Sequence, residues 1–142
     1  MRILLVEDDL PLAEALTTLL HGAGYALDVT HDGLSAETLI GAERFDLVIL
    51  DPPSTSTAHG KRWSAGHDYP ELVRQALPLV APGGHLWTIT NHRATPLERF
   101  ARRIAGVLPE GAMLERICPP PLDFPEDGPF LVKTLVWALP GT

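Results

Sequence analysis

Two runs, Ile3-Leu4-Leu5-Val6 and Leu47-Val48-Ile49-Leu50, are apolar at every position. A strand with one wet face alternates polar and apolar residues. A strand that never alternates is buried on both faces, which points to the interior of a parallel sheet with helices on either side. The segments around these runs meet that condition. Asp9 can cap a helix over 10–22 in which Leu12, Leu16, Leu19 and Leu20 form one stripe, and Gly24 suits a left-handed stop. Tyr25 to Val29 reads as a second strand, and Asp32 caps a second helix with Ala36, Leu39 and Ile40 facing inward. Up to Leu50 the order is β-α-β-α-β.

Residues 52–66 read as a loop rich in Ser, Thr, Gly and Pro, with Lys61, Arg62 and Trp63 near its tip. From Asp68 a helix carries Leu72, Val73, Ala76, Leu77 and Val80 on one side, and Ala81-Pro82-Gly83-Gly84 turns the chain into a fourth strand over 85–90. Thr95-Pro96-Leu97-Glu98 has the capping residue, first-turn proline and glutamate of a helix start, with Phe100, Ala101, Ile104 and Val107 as its buried face. Met113 to Ile117 is a fifth strand and Phe130 to Ala138 a sixth. With no helix between them, the 118–129 connection can return the chain antiparallel. Elements at this spacing imply an α/β fold: a three-layer, doubly wound sandwich on a mostly parallel six-stranded sheet, as a single domain over 1–142.

Composition narrows the function classes. A net charge of −7 argues against an unassisted grip on nucleic acid, which needs a basic face, so a nucleic-acid partner is not expected. The single cysteine, Cys118, excludes an internal disulfide and a thiolate metal cluster and suits a reducing cytoplasm. No apolar run reaches the roughly 18–20 residues of a membrane span, and Met1-Arg2 leads into a strand rather than a signal peptide. A soluble, cytoplasmic chain without a membrane partner is the expectation. His59, His67, His85 and His92 lack the spacing of a zinc site and read as loop or surface residues. Trp63 reads as a loop anchor, Trp87 and Trp137 as core.

The residues able to do chemistry gather at strand ends. Glu7-Asp8-Asp9 follows the first strand and Asp51 ends the third. Convergent carboxylates repel unless a cation sits among them, and an all-oxygen set suits Mg²⁺; the other reading is a strand-end cluster with a helix cap. That acidic cluster, Gly24-Tyr25, Asp32-Gly33 and Phe45-Asp46-Leu47-Val48-Ile49-Leu50-Asp51 resemble the receiver domains of response regulators across residues 1–51. The resemblance implies Glu7 and Asp8 as metal carboxylates and Asp51 as phosphoryl acceptor. Beyond Asp51 the pattern stops. Pro52 and Pro53 have no N–H to hold phosphoryl oxygens, and Met113–Ile117 supplies no lysine. Weak Mg²⁺ binding at Glu7, Asp8 and Asp51, with Asp51 a vestigial acceptor, is what remains.

From the same strand onward a second pattern begins. Asp51-Pro52-Pro53-Ser54, Lys61-Arg62-Trp63, Tyr69, Ala81-Pro82-Gly83-Gly84, Thr90-Asn91-His92 and the run from Phe124-Pro125 to Lys133 resemble class I S-adenosylmethionine-dependent methyltransferases over residues 45–142. Most similar is the RNA-methylating kind related to the large-subunit ribosomal cytosine enzymes. The resemblance implies a rigid turn whose carbonyls face a target base, with the aspartate near the methyl donor. The alternative is a stiff exit from a strand. Such enzymes hold their cofactor on a glycine-rich turn after the first strand. Here that turn reads Val6-Glu7-Asp8-Asp9-Leu10-Pro11, so S-adenosylmethionine is not expected and Asp51, Pro52 and Pro53 read as a vestigial motif. The cysteine that cytosine-carbon methylation needs is also missing near the fourth strand.

Both resemblances share the third strand, which in each family lies next to the first. Exchanging everything before it preserves neighbours and crossover handedness. A Rossmann-like or flavodoxin-like sheet in the order 2-1-3-4-6-5 follows, with only the sixth strand antiparallel and two halves, 1–51 and 52–142. The functional expectation is a recombined or engineered (recombinant) chimera that is not an enzyme and requires no cofactor. The alternatives are a degenerate receiver binding Mg²⁺ with Asp51 phosphorylated, and a fragment of an RNA methyltransferase. Helix faces that did not evolve together leave room for a homodimer.

Overall fold

A computed structural model of the chain describes residues 2–6, 10–31, 41, 43–58, 61–119 and 132–141. Their elements in chain order are β1 (Arg2–Val6), α1 (Leu10–Gly22), β2 (Ala26–Thr30), β3 (Phe45–Leu50), β4 (Thr55–Ala58), β5 (Lys61–Ser64), α2 (Ala65–Ala76), a 3₁₀ turn (Leu77–Leu79), β6 (Val80–Thr90), α3 (Leu97–Ala105), β7 (Met113–Cys118) and β8 (Lys133–Ala138). Glu7, Asp8, Asp9 and the helix expected after Asp32 lie outside the described residues. No helix among those described is long and apolar enough to cross a membrane.

The central sheet has the order β3-β6-β8-β7. β3 and β6 are parallel, with Leu47 opposite His85 and Leu50 opposite Thr88, and β8 runs antiparallel to both β6 and β7. Within this sheet, order and direction are those expected for strands three, four, six and five. β1 and β2 form a separate parallel pair, with Ile3 opposite Leu27 and Val6 opposite Thr30. The expected six-stranded sheet in the order 2-1-3-4-6-5 is therefore corrected to a four-stranded mixed sheet beside a two-stranded pair. β1 runs close to β3, but no ladder closes between them. The physical reason lies in α1. Half of its apolar stripe is exposed, Leu12 at 46% and Leu19 at 69%, Leu16 and Leu20 are half-buried, and among its described side chains only Ala13 is buried. Little buried apolar area is left to draw the first pair onto β3.

Helices α2 and α3 cover one face of the four-stranded sheet. Tyr69, Val73, Phe100 and Ile104 from the helices pack with Leu86, Leu135 and Trp137 from the strands, and four of these side chains are fully sealed. Trp137 Nε1 donates to Thr88 Oγ1 at 3.1 Å, which satisfies both polar groups inside the core. The opposite face, carrying Leu47, Ile49, His85 and Trp87, is less covered, so Trp87 is half-buried rather than core. A cavity of about 320 Å³ on that face is lined by residues that include Leu47, His85, Trp87 and Val136.

Three boundaries differ from the sequence reading. The segment read as a loop over 52–66 contains an antiparallel hairpin, Thr55 opposite Ser64 and Ala58 opposite Lys61. Helix α2 begins at Ala65, three residues early, because the Asp68 carboxylate accepts the Ser64 N–H at 2.8 Å and satisfies one N-terminal donor. β6 begins at Val80, a position expected on the helix. Gly84 lets it pass close to β3, since a Cβ there would sit 3.0 Å from the Asp46 carbonyl oxygen.

Candidate functional site

The carboxyl ends of β3 and β6 lie side by side, and each strand leaves through a polar turn. Asp51-Pro52-Pro53-Ser54 follows β3, and Asn91-His92-Arg93 follows β6. The ladder between the strands ends at the pair Leu50 and Thr88. There the Tyr69 hydroxyl, brought in by α2, accepts the Ile89 N–H at 2.9 Å. Its single proton goes to the Leu50 carbonyl at 2.6 Å or the Ile89 carbonyl at 2.9 Å. A side chain thus carries the connection where the backbone ladder stops. The Tyr69 ring is 1% exposed and stands edge-on to Phe100, with centroids 4.9 Å apart. Burial, with the charge of Asp51 adding to it against the Ile89 bond, pushes the hydroxyl far above its ordinary pKa, so it stays protonated.

Across the gap Ser54 Oγ donates to Asn91 Oδ1, which turns the amide nitrogen of Asn91 away from Ser54. Asp51 is exposed at the lip, and partial desolvation raises its carboxyl above the usual range. Pro52 and Pro53 have no N–H. The two prolines therefore offer carbonyl acceptors and no donor, and Asp51 adds a carboxylate beside them.

The turn after β6 is held from several sides. The His92 N–H reaches Thr90 Oγ1 at 3.2 Å, His92 Nδ1 lies 2.8 Å from Thr95 Oγ1, and Lys133 Nζ donates to the His92 carbonyl at 3.1 Å. The imidazole rests on Gly66, where a Cβ would come within 2.6 Å of Cε1. His92, expected as a loop or surface residue, does lie in a loop, where it is half-buried and links α2, β6 and β8. Thr95, expected as a helix cap, leaves that position to Pro96 and bonds His92 instead. Burial lowers the pKa of the Lys133 ammonium. Arg103 on α3 donates to the carbonyls of Gly66 and His67 at the start of α2. Asp68 is held below the usual carboxylate range by its hydrogen bond to His67 and then by the Ser64 N–H.

Asp51, Pro52 and Pro53 thus come together at one strand end. Glu7 and Asp8, the other expected metal ligands, lie outside the described residues. Among the described residues no group of three or more His, Cys, Asp or Glu is arranged to hold a metal ion. Tyr69, His92 and Lys133 entered the sequence reading within the motifs of the methyltransferase resemblance, without a stated contact. Only Tyr69 carried a usable signal, an aromatic hydroxyl on a helix face that must find a partner when buried.

No protein-family model matches the chain. It is 37% identical over 57 residues to YwbD of Bacillus subtilis (strain 168), provisionally named a ribosomal RNA large subunit methyltransferase; the match covers 40% of this chain and 14% of that protein. It is 38% identical over 84 residues to the transcriptional regulatory protein PmrA of Pectobacterium parmentieri, covering 56% of this chain and 38% of the other. Its fold is similar to that of SMU.776, a provisionally assigned methyltransferase complexed with SAH, at a TM-score of 0.74 and 17% identity, over 98% of this chain and 39% of that one. The chain thus spans less than half the length of each of these three proteins.

These matches establish an α/β fold resembling Rossmann-like methyltransferases and partial similarity to two kinds of protein. They also correct two expectations. A chain whose fold follows a methyltransferase almost end to end, and which shares sequence with another, is not to be read as a non-enzyme. SAH in the matched structure likewise overturns the expectation that S-adenosylmethionine has no place here.

Proposed function

We propose that this chain is the methyl-transferring core of an S-adenosylmethionine-dependent enzyme acting on RNA, recombined at β3 with a first half of response-regulator descent. One observation carries the reading: the Asp51-Pro52-Pro53-Ser54 turn is joined to Asn91 through the Ser54 hydroxyl, with Tyr69 tying the two strand ends, in a fold shared with a methyltransferase that holds SAH. Carbonyls and a carboxylate are the partners that exocyclic amino groups and ring N–H groups of a nucleobase require. The net acidity is no bar, because Arg93, Arg99 and Arg102 are exposed on the turn and helix that follow β6.

The donor set at this edge also fits the cofactor. Its sulfonium and amino groups are cationic, and Asp51 and Ser54 offer oxygens to them. When bound, S-adenosylmethionine supplies an electrophilic methyl group. The chain's own residues orient and hold. Asp51 accepts a hydrogen bond from an amino group, Pro52 and Pro53 fix the direction of two carbonyls, and the Asn91 nitrogen donates to an acceptor on the base. Tyr69 keeps its proton and holds the strand ends at a set separation.

Calorimetric titration with S-adenosylmethionine and SAH, followed by transfer of a labelled methyl group to ribosomal RNA, tests the reading. Binding is expected to weaken about tenfold or more in Asp51→Ala, and labelling to fall with it. Absence of both donor heat and RNA label in the wild-type chain would defeat the proposal. The second reading, in which Glu7, Asp8 and Asp51 hold Mg²⁺ and Asp51 accepts a phosphoryl group, draws on the similarity to the regulatory protein PmrA. Labelling of Asp51 by acetyl phosphate with Mg²⁺ would favour it.

A further inference from the structure

We infer that Lys133 is a positioning residue that aims the Asn91 amide over the Asp51 turn, acting through the carbonyl of His92. The inference rests on reading that crevice as the reacting site. Lys133 opens β8 directly opposite Thr90, the last residue of β6, and is 5% exposed. An ammonium at that depth is costly unless its donors are used. Among the described residues its hydrogen-bond partner is a backbone carbonyl, that of His92 at 3.1 Å, and not a carboxylate. The bond from the ammonium holds that carbonyl in place.

The effect passes to Asn91 through a single peptide. With its N–H on Thr90, its carbonyl on Lys133, its Nδ1 beside Thr95 and its ring against Gly66, His92 cannot swing. Asn91 is covalently joined to this anchored residue, and Ser54 holds its Oδ1 from the other side. The amide nitrogen then has one direction to point. Lys133 touches no reacting atom; it removes the freedom of the residue that would, and misplacement of such a group lowers the rate more than the affinity.

The test compares Lys133→Met, which keeps the apolar stem, with Lys133→Arg, which keeps a donor. Two quantities are read: kcat and KM for methyl transfer to ribosomal RNA, and the side-chain ¹⁵N–¹H signals of Asn91. Lys133→Met is expected to lower kcat about tenfold with KM for RNA within about twofold, and to shift and broaden the Asn91 signals. Lys133→Arg should restore most of both. Wild-type Asn91 signals in a folded Lys133→Met chain overturn the inference, as does a loss confined to KM. If the Met variant does not fold, Lys133→Gln takes its place beside Lys133→Arg, and identical Asn91 signals in those two overturn it. The spectroscopic arm needs no turnover. A wild-type chain that transfers no methyl group defeats the methyltransferase reading alone, and the Asn91 signals still decide whether Lys133 aims the amide.

Discussion

Tyr69 is the residue on which the geometry of the crevice depends most. Its ring belongs to the core, and its hydroxyl serves three backbone groups at the ends of β3 and β6. Tyr69→Phe keeps the contact with Phe100 and strands the Ile89 N–H and the Leu50 carbonyl. Leaving such groups without a partner costs about 1–3 kcal/mol. The variant should unfold at a lower urea concentration with an unchanged slope, and an unchanged midpoint would count against the clamp. At this scale the sequence was half legible. Asp51, Pro52 and Pro53 could be read directly, because a strand-end carboxylate and a rigid turn form one contiguous string. Tyr69 meets Leu50 across 19 positions, and Lys133 meets His92 across 41. Nothing in a linear pattern states those distances.

Among the elements, α2 shows how one boundary changes the meaning of a residue. A helix starting at Asp68 puts Pro70 in the first turn, where its missing N–H costs nothing. Started at Ala65, the helix has Pro70 in its interior, and the Gly66 carbonyl loses its partner four residues on. Arg103 supplies the missing donor from α3. Arg103→Met should therefore destabilise the fold by about 1–3 kcal/mol, the range for a hydrogen bond from a charged group. Adding Pro70→Ala should recover part of the loss, since the new N–H can reach Gly66. Thermal unfolding of the two variants checks this, and no recovery would assign the role of Arg103 to its field at Asp68 instead. The hairpin of β4 and β5 was missed by the sequence reading. Thr55-Ser56-Thr57 is rich in β-branched residues, yet the polar composition of the segment outweighed that signal.

For the whole molecule, the continuous apolar runs pointed to an α/β fold. The relations among β3, β6, β7 and β8 followed from the third strand shared by the two family resemblances and from the helix-free connection before the last strand. The apolar runs could not reveal that β1 and β2 would stand as a separate pair, because strand pairing depends on how well two faces pack, and α1 leaves Leu12 and Leu19 exposed. The two sheets should differ in local stability. Backbone amides of β1 and β2 are expected to exchange with deuterium through openings well short of global unfolding, while those of β6 and β8 require it. Uniform protection across all of these strands would refute the division.

The outer strand of the larger sheet carries a last consequence. β7 has one laddered neighbour among the described residues and exposes Met113, Leu114 and Ile117. A row of unpaired amides flanked by apolar side chains invites another chain to add itself, copy upon copy. The register shift between Leu114 and Arg116, with Glu115 reaching to His85 at 3.1 Å, bends that row and sets charges in its middle. A bend and charges so placed disfavour strand addition at this edge, a matter separate from anything done at the crevice.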